Sequence, residues 1–434
     1  MVQQNNLNAA LKVVSAFIES LMSSEMLSSE DRRFDLYFWH AGEGTLFLSA
    51  EEAQQYRDCL RALLEAVSSS EQISPPSVER VFQNAIFAAL DIRNQRTPEF
   101  KARLEQALQE LRQSLIAPPQ TFRVYHCVNG LAPEGLPSTV GNVDFVVFDD
   151  RQLDKFREAA AKHAVDEEQR ELRRQLLEEL SQEKDLADHV VAVVTVAAIE
   201  GGAAELLATR ELRLVIDVIN FYSDLIPYNH AHLSLPGDAD AARVVIPKLV
   251  VDGSQRGGFS VHNTLRGRLG ELSLPKLWEL DSRRNLGFSR VAKLLGGRRN
   301  DLEERIIAAI QWAGRATAEI RKETAFLLYA IALESIVLSD NYRTELTYRL
   351  RVRTAHLLAD GIDSRRDLFS KLGKLYEIRS EIVHNGRYQV TDADLSLLRS
   401  ITKAALIRIC TGTEFLSMRS GKELGKWFQD RVLE

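Results

Sequence analysis

Cysteine is scarce in this chain of 434 residues, with three in all: Cys59, Cys127 and Cys410. They lie far apart and make no metal-ligand spacing. So few argue against a disulfide-stapled secreted protein and suit a reducing cytosol, so a cytoplasmic location is expected. No run of about 18 apolar residues occurs, so no membrane-spanning helix is expected. The opening Met1-Val-Gln-Gln-Asn-Asn has no basic region, and no signal peptide is expected there. There is no Gly-x-Ser-x-Gly elbow and no dinucleotide-binding glycine fingerprint. Gly296-Gly297-Arg-Arg has no Gly-Lys-Ser/Thr of a phosphate loop. Hydrolases built on an elbow serine and nicotinamide oxidoreductases therefore have no positive support. Tyr228-Asn-His230-Ala-His232 would put two imidazoles on one strand face, but no Asp, Glu or Cys accompanies them at ligand spacing. His126 beside Cys127 fits a strand core or edge better than a catalytic pair. Neither a metal nor a cofactor is expected.

What is present is an ordinary globular composition, 45% hydrophobic and 27% charged, with a formal net charge of -6. That charge does not describe a general nucleic-acid binder. Its distribution is uneven: residues 341–387 hold ten Lys/Arg against six Asp/Glu, a local net of +4 that leaves -10 on the rest. Such a segment can steer a polyanion; a chance clustering of surface arginines is equally open. The length allows two or three domains. Periodicity and turn signals predict an α+β fold in which a mixed α/β N-terminal region precedes an all-α antiparallel bundle. The divisions expected are 1–116, a helical and mixed region; 117–295, a mixed α/β domain; and 296–434, the helical domain. Within the first, Asp35–Trp39 and Thr45–Leu48 read as a hairpin. Ser49-Ala-Glu-Glu reads as a capping box, and Thr97-Pro98 as another helix start. In the middle, strands are expected at Phe122–Val128, Val143–Phe148, His189–Ala197, Arg243–Val251 and near Gly257–Val261. A charged, solvated helix pair is expected at 151–188. After about 296, five helices with short connections are expected: one opening at Asn300, then Thr324–Leu338, 344–359, 365–384 and one starting at Thr391.

The fourth of these ends in Tyr376-Glu-Ile-Arg379-Ser-Glu-Ile-Val-His384-Asn-Gly386. Asn385-Gly386 is a helix stop of the left-handed kind. The stretch resembles the Arg-x4–6-His signature of HEPN domains. The longer string Arg-Ser-Glu-Ile-Val-His-Asn-Gly is most similar to the Apea-like HEPN group. An Ala332-Leu333-Glu334 helix and an Arg353-Thr-Ala-His-Leu-Leu358 helix precede it in the same Apea-like order. The resemblance covers about 300–412, roughly a quarter of the chain. The bare pattern alone is weak, since Arg351-Val-Arg-Thr-Ala-His356 also satisfies it.

Chemically, an RNase that works without metal must deprotonate a ribose 2′-OH, stabilise charge on the phosphorane and protonate the leaving 5′-oxygen. Histidine transfers protons near neutral pH, and arginine offers a planar donor fork to phosphate oxygens. Five residues on an ideal helix separate two side chains by about 140°. A two-fold dimer can bring two copies of the motif into one cleft. The resemblance implies that arrangement, with Arg379 on the phosphate and His384 moving protons. Ser380 fills the polar position after the arginine, and Asn385 belongs to the stop. Tyr376 either stacks on a base or packs. Glu334, on a very apolar helix, needs a partner if buried: Arg353 is preferred, Arg379 is the alternative, and a solvent-facing Glu334 stays open. The resemblance further implies a toxic endoribonuclease in anti-phage defence by abortive infection. Its partners would be RNA, for which transfer RNA is a candidate, a second copy of the chain, and a phage trigger or regulatory protein sensed by the N-terminal region. The other reading is a catalytically inactive HEPN module that dimerises or binds RNA or nucleotide within a larger assembly.

Overall fold

A computed structural model of the chain describes residues 4–23, 36–40, 44–67, 72–90, 100–149, 190–227, 231–235, 244–251, 259–266, 271–338, 345–386 and 389–433, with scattered positions between 154 and 178. The expected helix pair at 151–188, the Thr97-Pro98 start, the turn of the first hairpin, Gly257 and His230 lie outside the described residues. The fold is α+β and mostly helical. It divides into two compact units, Met1–Val124 with Thr195–Arg210, and Tyr125–Val194 with Glu211–Glu434.

The first unit is built on α1 (Gln4–Ser23), α2 (Ala50–Val67), α3 (Pro75–Leu90) and α4 (Phe100–Leu115). Leu7, Ala10, Val14, Phe17, Ile18 and Leu21 recur at helical spacing on α1, and all are buried. The rings of Tyr56 and Phe82 stack with centroids 5.1 Å apart in that core, and Phe17 leans on both. The expected hairpin is present as β1 (Leu36–His40) against β2 (Gly44–Leu48), paired antiparallel from Leu36↔Leu48 to His40↔Gly44. Ser49 starts α2 with the expected capping box: its N–H donates to Glu52 Oε2 at 2.8 Å, and its hydroxyl accepts from the Glu52 N–H at 3.4 Å.

Glu200 caps the start of α5 (Gly201–Ser223). Its carboxylate accepts from the backbone N–H groups of Gly202 and Ala203, both at 2.7 Å, and of Ser74 at 3.1 Å. Burial disfavours the charge, but hydrogen bonds from Ser74, Gly202 and Ser77 outweigh it and hold the pKa down at about 2, against an ordinary 4.5. A depressed carboxylate stabilises the fold above its unfolded pKa and loses that contribution as pH falls through the folded value. Glu200→Gln is therefore expected to lower Tm at pH 7, with the gap to wild type closing between pH 4.5 and about 2. Melting curves across that range check it; a gap independent of pH would remove charge as the cause.

A four-stranded sheet has the order β3-β6-β5-β4, where β3 is Gln120–Cys127, β4 Ser138–Val140, β5 Val143–Val147 and β6 Val190–Ala198. The small β4 lies in what reads as a Gly/Pro-rich loop, and pairs back on β5 with Val140↔Val143. The β-branched run of β6 is buried from Val190 to Val194 and pairs antiparallel with β5, Val143↔Val194 to Val147↔Val190. A separate ribbon joins β7 (Val244–Val251) to β8 (Phe259–Arg266). Two helices follow that the pattern reading does not anticipate, α6 (Leu274–Arg284) and α7 (Phe288–Leu295). The buried Asp281 of α6 accepts from the N–H groups of Phe288 at 3.0 Å and Ser289 at 2.9 Å, capping α7 from a neighbouring helix.

Beyond residue 300 come α8 (Asp301–Ala318), α9 (Lys322–Val337), α10 (Leu346–Leu358), α11 (Ile362–Asn385), α12 (Asp392–Thr411) and α13 (Gly421–Leu433). The five expected helices are present, and α13 is a sixth. Its glycines at 421 and 425 mask its helical character in the sequence. Asn300 opens α8 with a capping box to Glu303. In packing, α9 lies against α8 and α12, while α10 lies against α11 and α13.

Candidate functional site

The Arg379–His384 segment forms the last two turns of α11. Leu372, Leu375, Tyr376 and Ile378 are the buried residues of this helix. Gly386 ends it at φ 63 in the left-handed region, donating its N–H to the Ile382 carbonyl at 3.1 Å. The stop expected from Asn385-Gly386 is thus present. The helix nevertheless stays regular through Asn385, so His384 lies in formed helix and not in a frayed end.

Arg379 faces inward. Its Nε lies 3.3 Å from Glu334 Oε1 on α9, with about a third of each side chain accessible, 32% and 27%. The carboxylate that needed a partner thus has one, and it is Arg379. Arg353, the preferred partner, does something else. It is buried, donates to the Val337 carbonyl at 3.0 Å at the end of α9, and lies 5.4 Å over the Phe428 ring. The correction has a simple cause: Arg353 reaches the carbonyl end of α9, where a cation satisfies the last orphan oxygens.

Tyr376 sits one turn before Arg379 and is buried, which favours packing over base stacking. Its hydroxyl has no aligned hydrogen bond, yet it lies beside Glu334. Burial, with the Glu334 charge behind it, pushes the phenol well above its usual range, and Arg379 opposes this. Tyr376 is therefore a neutral wall behind the Arg379–Glu334 pair.

His384 is different. It is exposed and makes no hydrogen bond or ion pair among the described residues. Ser380 is exposed too, and the Asn385 amide donates to the Glu381 carboxylate. Val383, beside the histidine, is half exposed. Arg379 and His384 stand about 140° apart around the axis and about 7.5 Å along it. One copy of the chain does not bring them together. The structure collects Arg379, Glu334 and Tyr376 in one place and leaves Ser380, His384 and Asn385 on the outer side.

The second Arg-x4-His match is split further. Arg351 lies 3.7 Å over the Phe369 ring and donates to the Phe369 carbonyl at 3.1 Å. His356 lines a cavity at the far end of α10, which sequence reasoning overlooked because its other walls come from α12 and α13. Among the described residues no group of three His, Cys, Asp or Glu is placed to hold a metal ion. No described helix is long and apolar enough to cross a membrane. No protein-family model, curated protein or solved structure matches this chain.

Proposed function

We propose that the region after residue 300 is a metal-independent HEPN endoribonuclease that works as a pair of copies. The observation that carries this reading is the disposition of the motif: Arg379 is braced from within by Glu334, while His384 is exposed and unengaged on another side of the same helix. A second copy related by a two-fold axis supplies the complementary half. In the reaction, one His384 imidazole takes the proton of the ribose 2′-OH as its oxygen attacks phosphorus. The bond from phosphorus to the 5′-oxygen breaks, and the imidazolium of the partner copy protonates that oxygen. The products are a 2′,3′-cyclic phosphate and a 5′-hydroxyl. The Arg379 guanidinium stabilises the phosphorane charge. The role is that of a toxic effector in anti-phage defence, acting in the cytoplasm on cellular RNA, with transfer RNA as the first candidate, and held in check by the N-terminal region until triggered.

A 2′-deoxy nucleotide at the scissile position is expected to abolish cutting at that bond, because the nucleophile is gone. Cleavage of that substrate would exclude 2′-OH attack.

One feature favours a second reading, a non-cleaving dimerisation or RNA-binding module. The Glu334 carboxylate already compensates Arg379, as a structural ion pair does. Unaltered RNA after long incubation, together with stable association with another protein, selects it.

A further inference from the structure

The reaction assigned to Arg379 and His384 leaves Tyr376 without a part, although it stands three residues before the arginine on the same side of α11. Its ring is buried and its hydroxyl is fully enclosed. Burial first, then the nearby Glu334 charge, keep the phenol protonated. The group is therefore a hydrogen-bond donor at neutral pH, and a buried donor needs an acceptor. The acceptor beside it is the Glu334 carboxylate, within reach but not aligned.

The place of Glu334 on its own helix also needs a reason. It lies in the last turn of α9, where the carbonyl end of a helix disfavours an anion. The cation that suits this end comes from Arg353, which donates to the Val337 carbonyl at 3.0 Å. A carboxylate does nothing for α9 there. Its charge is directed at α11, where Arg379 Nε stands 3.3 Å away. Two donors three residues apart on α11 thus converge on one carboxylate, whose acceptor sites suffice for both.

The contact with Arg379 is made at Nε, the base of the planar guanidinium. That leaves the Nη1/Nη2 end, which has no ion pair among the described residues. Two parallel N–H bonds to phosphate oxygens can be made from such an end. A single ion pair lets the guanidinium plane swing; a carboxylate held from behind by a second donor restrains it. We infer that Tyr376 is a positioning residue for Arg379: its hydroxyl donates to Glu334, fixes the carboxylate on the Nε side, and so aims the Nη1/Nη2 end at a phosphate. Hydrogen bonds of this kind are often unaligned in a free enzyme and tighten once substrate is bound. The aim at an RNA phosphate rests on the ribonuclease reading; the fixing of the guanidinium does not.

Tyr376→Phe keeps the ring and removes only the hydroxyl. RNA cleavage by the full chain is expected to fall about tenfold or more in kcat, since a small misplacement of a catalytic charge is costly in rate. The melting temperature should be unchanged or raised, because a poorly aligned buried hydroxyl is gone. Glu334→Gln is expected to lose a similar factor in kcat. Adding Tyr376→Phe to Glu334→Gln is expected to cost less than about twofold more, because the tyrosine acts through the carboxylate. A second readout needs no cleavage. In the full chain isotope-labelled at arginine, the Arg379 Nε–H resonance is assigned by its absence in Arg379→Lys. It is expected to exchange with solvent about tenfold faster in Tyr376→Phe than in wild type. Undiminished cleavage in Tyr376→Phe, full additivity with Glu334→Gln, or an unchanged exchange rate would each overturn the assignment. If the wild type cuts no RNA, the ribonuclease reading fails and the exchange rate alone decides the positioning role: faster exchange upholds it and an unchanged rate overturns it.

Discussion

His384→Ala is expected to remove RNA cleavage while leaving the protein folded. A group that both takes and gives a proton contributes about 10²–10⁴ in rate, so the residual activity should fall by at least the lower figure. The side chain is exposed and has no partner among the described residues, so its loss should change stability by no more than about 0.5 kcal/mol. Arg379→Ala is expected to lose comparable activity through the phosphorane charge. Its ion pair with Glu334 is about a third exposed, so the change in stability should stay under about 1 kcal/mol. Total RNA from cells expressing wild type and each variant, with melting curves of the purified chains, separates activity from folding. Fragments that persist in both variants would make the motif structural and leave the binding module as the reading.

Gly314→Ala is expected to be the most damaging single-methyl change in the second unit. A Cβ built at Gly314 of α8 would stand 1.8 Å from the Asp217 carbonyl oxygen and 2.5 Å from its carbon. Both are backbone atoms of α5, so no side chain can turn aside, and one of the two helices must move. Alanine normally favours a helix over glycine by about 1 kcal/mol. Here overpacking should exceed that gain, for a net loss of about 3 kcal/mol or more by denaturant unfolding. Gly373→Ala is the internal comparison. There the Cβ would meet the Arg351 guanidinium at 2.9 Å, the far end of a flexible side chain, and the cost should be much smaller. Equal losses at the two positions would show that the α5–α8 approach is not as tight as these distances require.

Features set by a few adjacent residues were readable in the sequence. The Ser49 capping box, the helix start at Asn300, the first hairpin, the apolar β6 run and the Asn385-Gly386 stop each need only local chemistry, and each is present. What depends on helix crossing was not readable. The apolar residues of α9 cover most of its circumference, so their pattern does not tell which side faces α11. That is why the partner of Glu334 was open between Arg353 and Arg379. The α7 helix is short and takes its N-terminal cap from Asp281 on another helix, a signal with no fixed sequence offset. The cavity around His356 joins positions more than 70 residues apart, which no motif scan connects.

The chain passes between its two compact units three times, near residues 124, 194 and 210, within β3, β6 and α5. Neither unit is therefore a contiguous stretch that can be expressed alone. A truncation after residue 124 leaves behind the segment 195–210 that completes the first unit, and a fragment starting at 125 carries that segment as an orphan. A protease cut near 124 divides the first unit between the pieces, a cut near 210 divides the second, and a cut near 194 divides both, so the units are separable only by rejoining segments with a designed linker.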